Sequence, residues 1–169
     1  MKLRYFALLF VLVLILLAGC GARTPELPAA PQEIYVLDSA DVLTAQTEAD
    51  LIARGEAFCA QTTAQVVVLC VRDTGGRDIE QYAKDVFNAW GIGDKEKDNG
   101  LLILLSIDAD DYWVTEGRGL EDLLPSGQIK LILDEYLEPH FAAGDYDAGV
   151  RAVTEAFYNR LAEYYEAAA

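Results

Sequence analysis

The sequence predicts an α/β fold, a mixed four-stranded sheet covered by helices on both faces, in the order β-α-β-α-β-β-α-α. Three observations lead there. Val66-Val67-Val68-Leu69 and Leu101-Leu102-Ile103-Leu104-Leu105 are apolar at every position, as strands buried on both faces require. Between them Ile79, Tyr82, Ala83, Val86, Phe87 and Trp90 recur at the spacing of one apolar helical stripe. After the second run, Asp108-Ala109-Asp110-Asp111 leads at once into Tyr112-Trp113-Val114-Thr115, and so short a connection forces an antiparallel pair.

Residues 1–19 precede the domain and read as a secretory signal. Lys2 and Arg4 are followed by an apolar run over 5–17, which ends in Leu17-Ala18-Gly19-Cys20. That ending resembles the lipobox of a bacterial lipoprotein, which implies cleavage before Cys20 and diacylation of its thiol. A spanning helix needs about 20 apolar residues, and this run breaks at a Gly-Cys-Gly cluster before reaching that length. Two acyl chains, at about 0.8 kcal/mol per buried methylene, anchor stably where one does not. The expected location is the cell membrane, lipid-anchored on its extracytoplasmic face. Residues 20–32 carry Pro25, Pro28 and Pro31 and read as a linker. In extended polyproline form, at ~3.1 Å per residue, the twelve residues 21–32 would hold the next domain up to ~37 Å from the bilayer. Residues 33–169 are one domain's worth of chain.

Within that domain a short strand is expected over 34–37, and Thr44 caps a helix over 45–61 whose Leu51, Ile52 and Phe58 share a face. The second strand covers 65–71, a loop follows over 72–77, and Asp78 caps the next helix. The third strand is expected over 100–107 and the fourth over 112–115. Helices follow over 126–137, with Ile129, Ile132, Leu133 and Tyr136 inward, and over 146–164, with Val150, Val153, Phe157 and Leu161 inward. Cys59 falls near the end of a helix and Cys70 near the far end of the next strand. If those elements run antiparallel, the two Cα atoms lie beyond the ~7 Å limit for a bridge, so free thiols are expected.

Charge excludes one class of partner. The chain has 13 basic and 28 acidic residues; without Lys2 and Arg4 the mature form has 11 against 28, a formal charge of −17. Such a surface repels nucleic acid, and no basic patch with interleaved aromatics offsets it. Divalent cations, basic peptides and protein partners are electrostatically easier.

The loop Trp90-Gly91-Ile92-Gly93-Asp94-Lys95-Glu96-Lys97-Asp98-Asn99-Gly100 runs into the third strand and gathers oxygen ligands on a bendable backbone. With the hairpin turn centred between Ala109 and Asp110, Gly100 would lie across from Gly119 and Asp98 near Glu121. Asp98, Asn99, Glu116, Arg118, Glu121 and Asp122 are then expected at one end of the hairpin. Other motifs are weaker. Asp108-Ala109-Asp110 has the Asp-x-Asp of dehalogenase-type phosphatases but sits in a hairpin turn. Asp94, Glu96 and Asp98 mimic the start of a calcium loop, yet the required twelfth-position Glu falls at Leu105 inside a strand. The single histidine, His140, has no evident nucleophile to serve.

A chain of short motifs adds a family resemblance. Leu37-Asp38-Ser39-Ala40-Asp41-Val42-Leu43-Thr44, Trp90-Gly91-Ile92-Gly93 with Asp98-Asn99-Gly100, and Gly117-Arg118-Gly119-Leu120-Glu121 with Leu124-Pro125 occur in order. Pro139-His140-Phe141, Gly144-Asp145-Tyr146 and Gly149 complete the series. Together they resemble the TPM domain, found in thylakoid-lumen phosphatases, photosystem II repair proteins and exported bacterial proteins. The resemblance implies an α/β/α sandwich, binding of Ca2+ or another divalent cation such as Mg2+, and, in the plant branch, acid phosphatase activity. By position, Asp38, Asp98, Asn99 and Glu121 are the candidate metal site, and Arg118 the candidate phosphate or anion contact. Ser126 stands where the family usually has an acidic residue after Leu-Pro, which would weaken or remove cation binding. Asp94 and Glu96 have no matched counterpart.

Two functions follow as expectations. The first is an envelope interaction or assembly module, tethered through Cys20, that uses its acidic site structurally and holds a protein partner. The second is a metal-assisted phosphomonoesterase, in which carboxylates hold the cation and Arg118 steadies the phosphate. The first is favoured, because no nucleophile and base pair is visible and the site is net negative towards an anionic substrate.

Overall fold

The computed structural model describes residues 27–167. The signal sequence and Cys20 lie outside the described residues. The sheet has four strands in the order β1-β2-β3-β4, with β1 Val36–Asp38, β2 Gln65–Val71, β3 Gly100–Ser106 and β4 Asp111–Glu116. The first three are parallel and β4 returns antiparallel on β3, so the sheet is mixed.

Helices cover both faces. α1 (Ala45–Thr62) begins where the Thr44 hydroxyl accepts the Thr47 N–H, and α2 (Ile79–Trp90) where the Asp78 carboxylate accepts the Gln81 N–H. On one face α2 packs Tyr82, Val86, Phe87 and Trp90 against Val67, Leu69, Leu102 and Leu104. On the other, α1, α3 (Ser126–Ile132) and α5 (Tyr146–Ala167) close over Val66, Val68, Leu101, Ile103 and Leu105. β3 is buried along its whole length, and burying each Leu or Ile there contributes about 2 kcal/mol. This three-layer arrangement is the expected one.

Three local departures have physical reasons. The first strand starts at Val36, two residues later than expected, because Ile34 and Tyr35 form a turn in which the Tyr35 ring lies over Gly55 of α1. The helix expected over 126–137 is regular only to Ile132; a π-helical turn covers Leu133–Leu137, and α4 (Glu138–Phe141) follows. Pro139 explains the break, since it lacks the N–H that would bond the Glu135 carbonyl and its ring crowds that position. The hairpin turn is Ile107 to Asp110, with Asp110 at φ +52°, so the register lies two residues away from the expected one. Glu116 pairs with Leu101 and Asp111 with Ser106, which sets Gly100 opposite Gly117 and not Gly119. Cys59 and Cys70 are free thiols, and burial pushes the Cys70 thiol well above its usual range.

Candidate functional site

The polar loop before β3 is a locked joint. Asn99 is only 2% exposed, and its amide nitrogen donates to Thr63 Oγ1 at 3.1 Å and to the Tyr165 hydroxyl at 2.9 Å. Its amide oxygen accepts the Asp94 N–H at 3.1 Å, so one side chain ties α1, the loop and the end of α5 together. The Asp94 carboxylate accepts the Lys97 and Glu96 N–H groups, which hold it below the usual carboxylate range. Asp98 sits at φ +48°, its carbonyl accepts the Gly119 N–H at 2.9 Å and its carboxylate accepts Arg118 Nε at 2.9 Å. Gly117 and Gly119 permit this contact: a Cβ on Gly119 would overlap the Lys97 carbonyl oxygen, and one on Gly117 the Asp98 carbonyl oxygen.

The structure therefore gathers Asp98, Asn99, Arg118 and Glu121 at one end of the hairpin. Arg118 feels the charge of both Asp98 and Glu121, which raises its pKa, and its side chain is 86% exposed. Glu116 lies close enough to Glu121 to feel it, although burial is the main cause of its raised pKa.

Asp38 does not join them. It ends β1 level with Cys70 and Leu105, whereas Asp98 and Asn99 precede Gly100 at the other end of β3. Five strand positions separate the two levels, about 17 Å at ~3.3 Å per residue. The Asp38 carboxylate accepts three N–H groups, from Ala40 at 3.0 Å, Val42 at 2.7 Å and Leu43 at 2.6 Å. It shapes the loop into α1, which Asp147 completes by accepting the Thr44 N–H at 2.7 Å. Burial works to raise the Asp147 pKa, but that N–H and the Thr47 and Thr44 hydroxyls hold it below its ordinary value.

The cation set expected from the sequence therefore lacks a common centre. Among the described residues no group of three or more His, Cys, Asp or Glu side chains is placed to hold a metal ion. His140 has its Cβ beside Gly149, where it packs α4 on α5.

A different feature lies beside β4. A slot of about 600 Å3 runs along this edge strand, walled by Glu80 and Lys84 of α2 on one side and by Ser126, Ile129 and Lys130 of α3 on the other. Tyr112, Trp113, Val114, Thr115 and Glu116 form its floor, and Glu121 stands at one end. Lys84, Trp113 and Lys130 were not singled out by the sequence, because no motif carries them. The usable signal was that β4 is the last strand of the sheet.

A profile of the TPM domain matches residues 36–160. The chain belongs to the TPM domain family. Solved structures of similar shape include the N-terminal domain of a P. gingivalis protein, determined by solution NMR. It is 27% identical at a TM-score of 0.72, covering 78% of this chain and 83% of that one. The BA42 protein of the psychrophilic bacterium Bizionia argentinensis is 20% identical at a TM-score of 0.63, covering 75% and 86%. The N-terminal domain of the cg2496 protein of Corynebacterium glutamicum is 16% identical at a TM-score of 0.58, covering 80% and 87%, and like BA42 it shares the fold. No curated protein matches the chain. Several TPM motif residues of this chain have a packing or loop-holding role: Asp38 and Asn99 by hydrogen bonds, Gly117 and Gly119 by close approach, and Phe141 by edge contacts to the Tyr112 and Tyr146 rings.

Proposed function

We propose that this TPM domain is an interaction module of the cell envelope, held at the membrane by lipid on Cys20, and not a phosphatase. One observation carries the reading: three of the four candidate donors, Asp38, Asp98 and Asn99, are already committed to the fold, and only Glu121 is left over. Asp38 serves three backbone donors, Asn99 is buried in three hydrogen bonds, and Asp98 is paired with Arg118. A metal-assisted esterase needs carboxylates converging on one cation and a group to activate water. The candidate donors lie at two ends of the sheet, so Ca2+ or Mg2+ does not fit the expected set. The mature charge favours protein partners with basic surface.

Two measurements test this. In a bacterial host, metabolic labelling with an alkyne fatty acid should mark the full chain and leave Cys20→Ala unmarked; an unlabelled wild type removes the anchor. Purified protein given a generic phosphomonoester with Ca2+ or Mg2+ should release no more phosphate than its Asp98→Ala variant. Metal-dependent turnover abolished by that substitution would replace the module with an enzyme.

A further inference from the structure

The β4 edge has unspent hydrogen-bonding capacity. The Gly117 N–H donates to the Gly100 carbonyl at 2.9 Å, which fixes the phase of the antiparallel ladder. Residues 111, 113, 115 and 117 therefore exchange bonds with β3, and the backbone groups of Tyr112, Val114 and Glu116 point away from it. The Tyr112 N–H is bonded by the Asp111 carboxylate at 2.9 Å, and the Glu116 N–H lies near enough to its own carboxylate to draw that pKa down against burial. The Val114 N–H has no partner among the described residues. Thr115, at 8% exposure, has a buried hydroxyl that is also without a partner among the described residues, and it lines the slot.

The walls and charges narrow the occupant. Lys84 is bonded to Glu80 at 2.6 Å and Lys130 to Asp134 at 2.6 Å; Lys84 also attracts Glu116, and Arg118, bonded to Asp98, attracts Glu121, but these five acids still outnumber the three cations. Glu116 and Glu121 form no salt bridge among the described residues and leave one end of the slot negative. A strand paired with β4 would lie ~4.8 Å from it, in the slot lined by α2 and α3. A second copy would bring its own β4 recessed between its own helices, together with a mature charge of −17, and both features oppose that pairing.

We infer that β4 is a docking edge which takes an extended segment of a partner protein as a fifth strand, with a Lys or Arg of that segment set against Glu116 and Glu121. This mode is β-augmentation: backbone bonds at Val114 supply affinity, and alternate side chains of the guest meet Tyr112, Ile129 and Leu133 on one face and Trp113 on the other. The inference rests on the reading of the domain as an interaction module.

The test uses the full chain in lipid nanodiscs, random twelve-residue displayed peptides as the probe, and amide exchange as the map. Without peptide, the Val114 amide should exchange at least a hundredfold faster than those of Trp113 and Thr115. Enriched peptides should alternate apolar residues, carry Lys or Arg, and protect Val114 at least tenfold. Glu116→Lys with Glu121→Lys should weaken them at least tenfold, and Val114→Pro, which removes a donor that the β3 ladder does not use, should do likewise. A folded charge-reversed variant that keeps full affinity would overturn the charge assignment and the proposal with it. A Val114 amide already protected without peptide would also overturn it, pointing to a second copy if protection falls on dilution and to the chain's own segment if it does not. Absence of turnover with no peptide at β4 would sink the docking edge alone; metal-dependent turnover would sink the module reading whatever β4 does.

Discussion

The loop before β3 and the slot beside β4 lie at neighbouring places on one hairpin and are built on opposite terms. In the loop, the candidate side chains are satisfied internally: Asn99 makes three bonds, Asp94 accepts two N–H groups and Asp98 is joined to Gly119 and Arg118. Along the slot, the Val114 N–H, the Thr115 hydroxyl and the Glu116 and Glu121 carboxylates have no hydrogen-bond or salt-bridge partner from other described residues. The family motif marks the first region and is silent on most of the second. Motif residues in this domain thus report what holds the loops, while the chemistry left over for a partner lies where the motif is thin. A buried polar group left unpaired costs about 1–3 kcal/mol, so the saturated loop should be intolerant of change and the slot permissive.

The largest effect should come from the joint itself. Gly119→Ala sets a Cβ into the Lys97 carbonyl, a backbone atom that cannot swing aside, and about 3 kcal/mol or more of stability should be lost. Urea unfolding measures it, and a wild-type midpoint would mean that the loop is not locked against the hairpin. Asp38→Ala comes next, because it strips the acceptor from three N–H groups at once; about 2–3 kcal/mol should be lost in the same assay. If Asp38 were instead a ligand with slack bonds, its removal would cost little stability.

The outcome at Asp38 bears on what the sequence made legible. β2 and α2 could be read to their ends because an unbroken apolar run, a clear helical stripe and an Asp cap leave little freedom. The hairpin was also legible, and with it the gathering of Asp98, Arg118 and Glu121, since a short turn forces neighbouring strands together. Its register was not, because the phase depends on Asp110 taking a positive φ in a four-residue turn, which composition does not specify. The break at Leu133 follows from Pro139, yet the apolar stripe runs through it and hides it. Grouping Asp38 with Asp98 had a signal against it. Asp38 ends one parallel strand and Asp98 precedes another, so parallel order alone places them at opposite ends of the sheet. The edge slot left no trace in any motif, because backbone groups facing outward are a property of strand order and not of residue type.

Two carboxylates sharpen the comparison by the sign of their pH dependence, at smaller amplitude. Asp147, bonded to Thr44, has a pKa held below its ordinary ~3.9. Its stabilising contribution is therefore present above about pH 4 and lost as pH falls through the lower folded value. Asp147→Asn should cost about 1 kcal/mol at pH 7, and the deficit should shrink in thermal melts as pH drops below 4. Glu116, in the slot, has a pKa raised by burial above its ordinary ~4.3, so its ionised form disfavours the fold. The contribution then runs the other way: it is complete below about pH 4 and lost as pH rises through the folded value. Glu116→Gln should change stability by less than about 0.5 kcal/mol at pH 7, in the stabilising direction, with the wild type regaining ground as the solution is acidified. Equal signs at the two positions would mean that the nearby Lys84 outweighs burial at Glu116. Opposite signs would mark it as a carboxylate the fold carries at a loss, which is the condition expected of a charge kept for a cation that arrives with a partner.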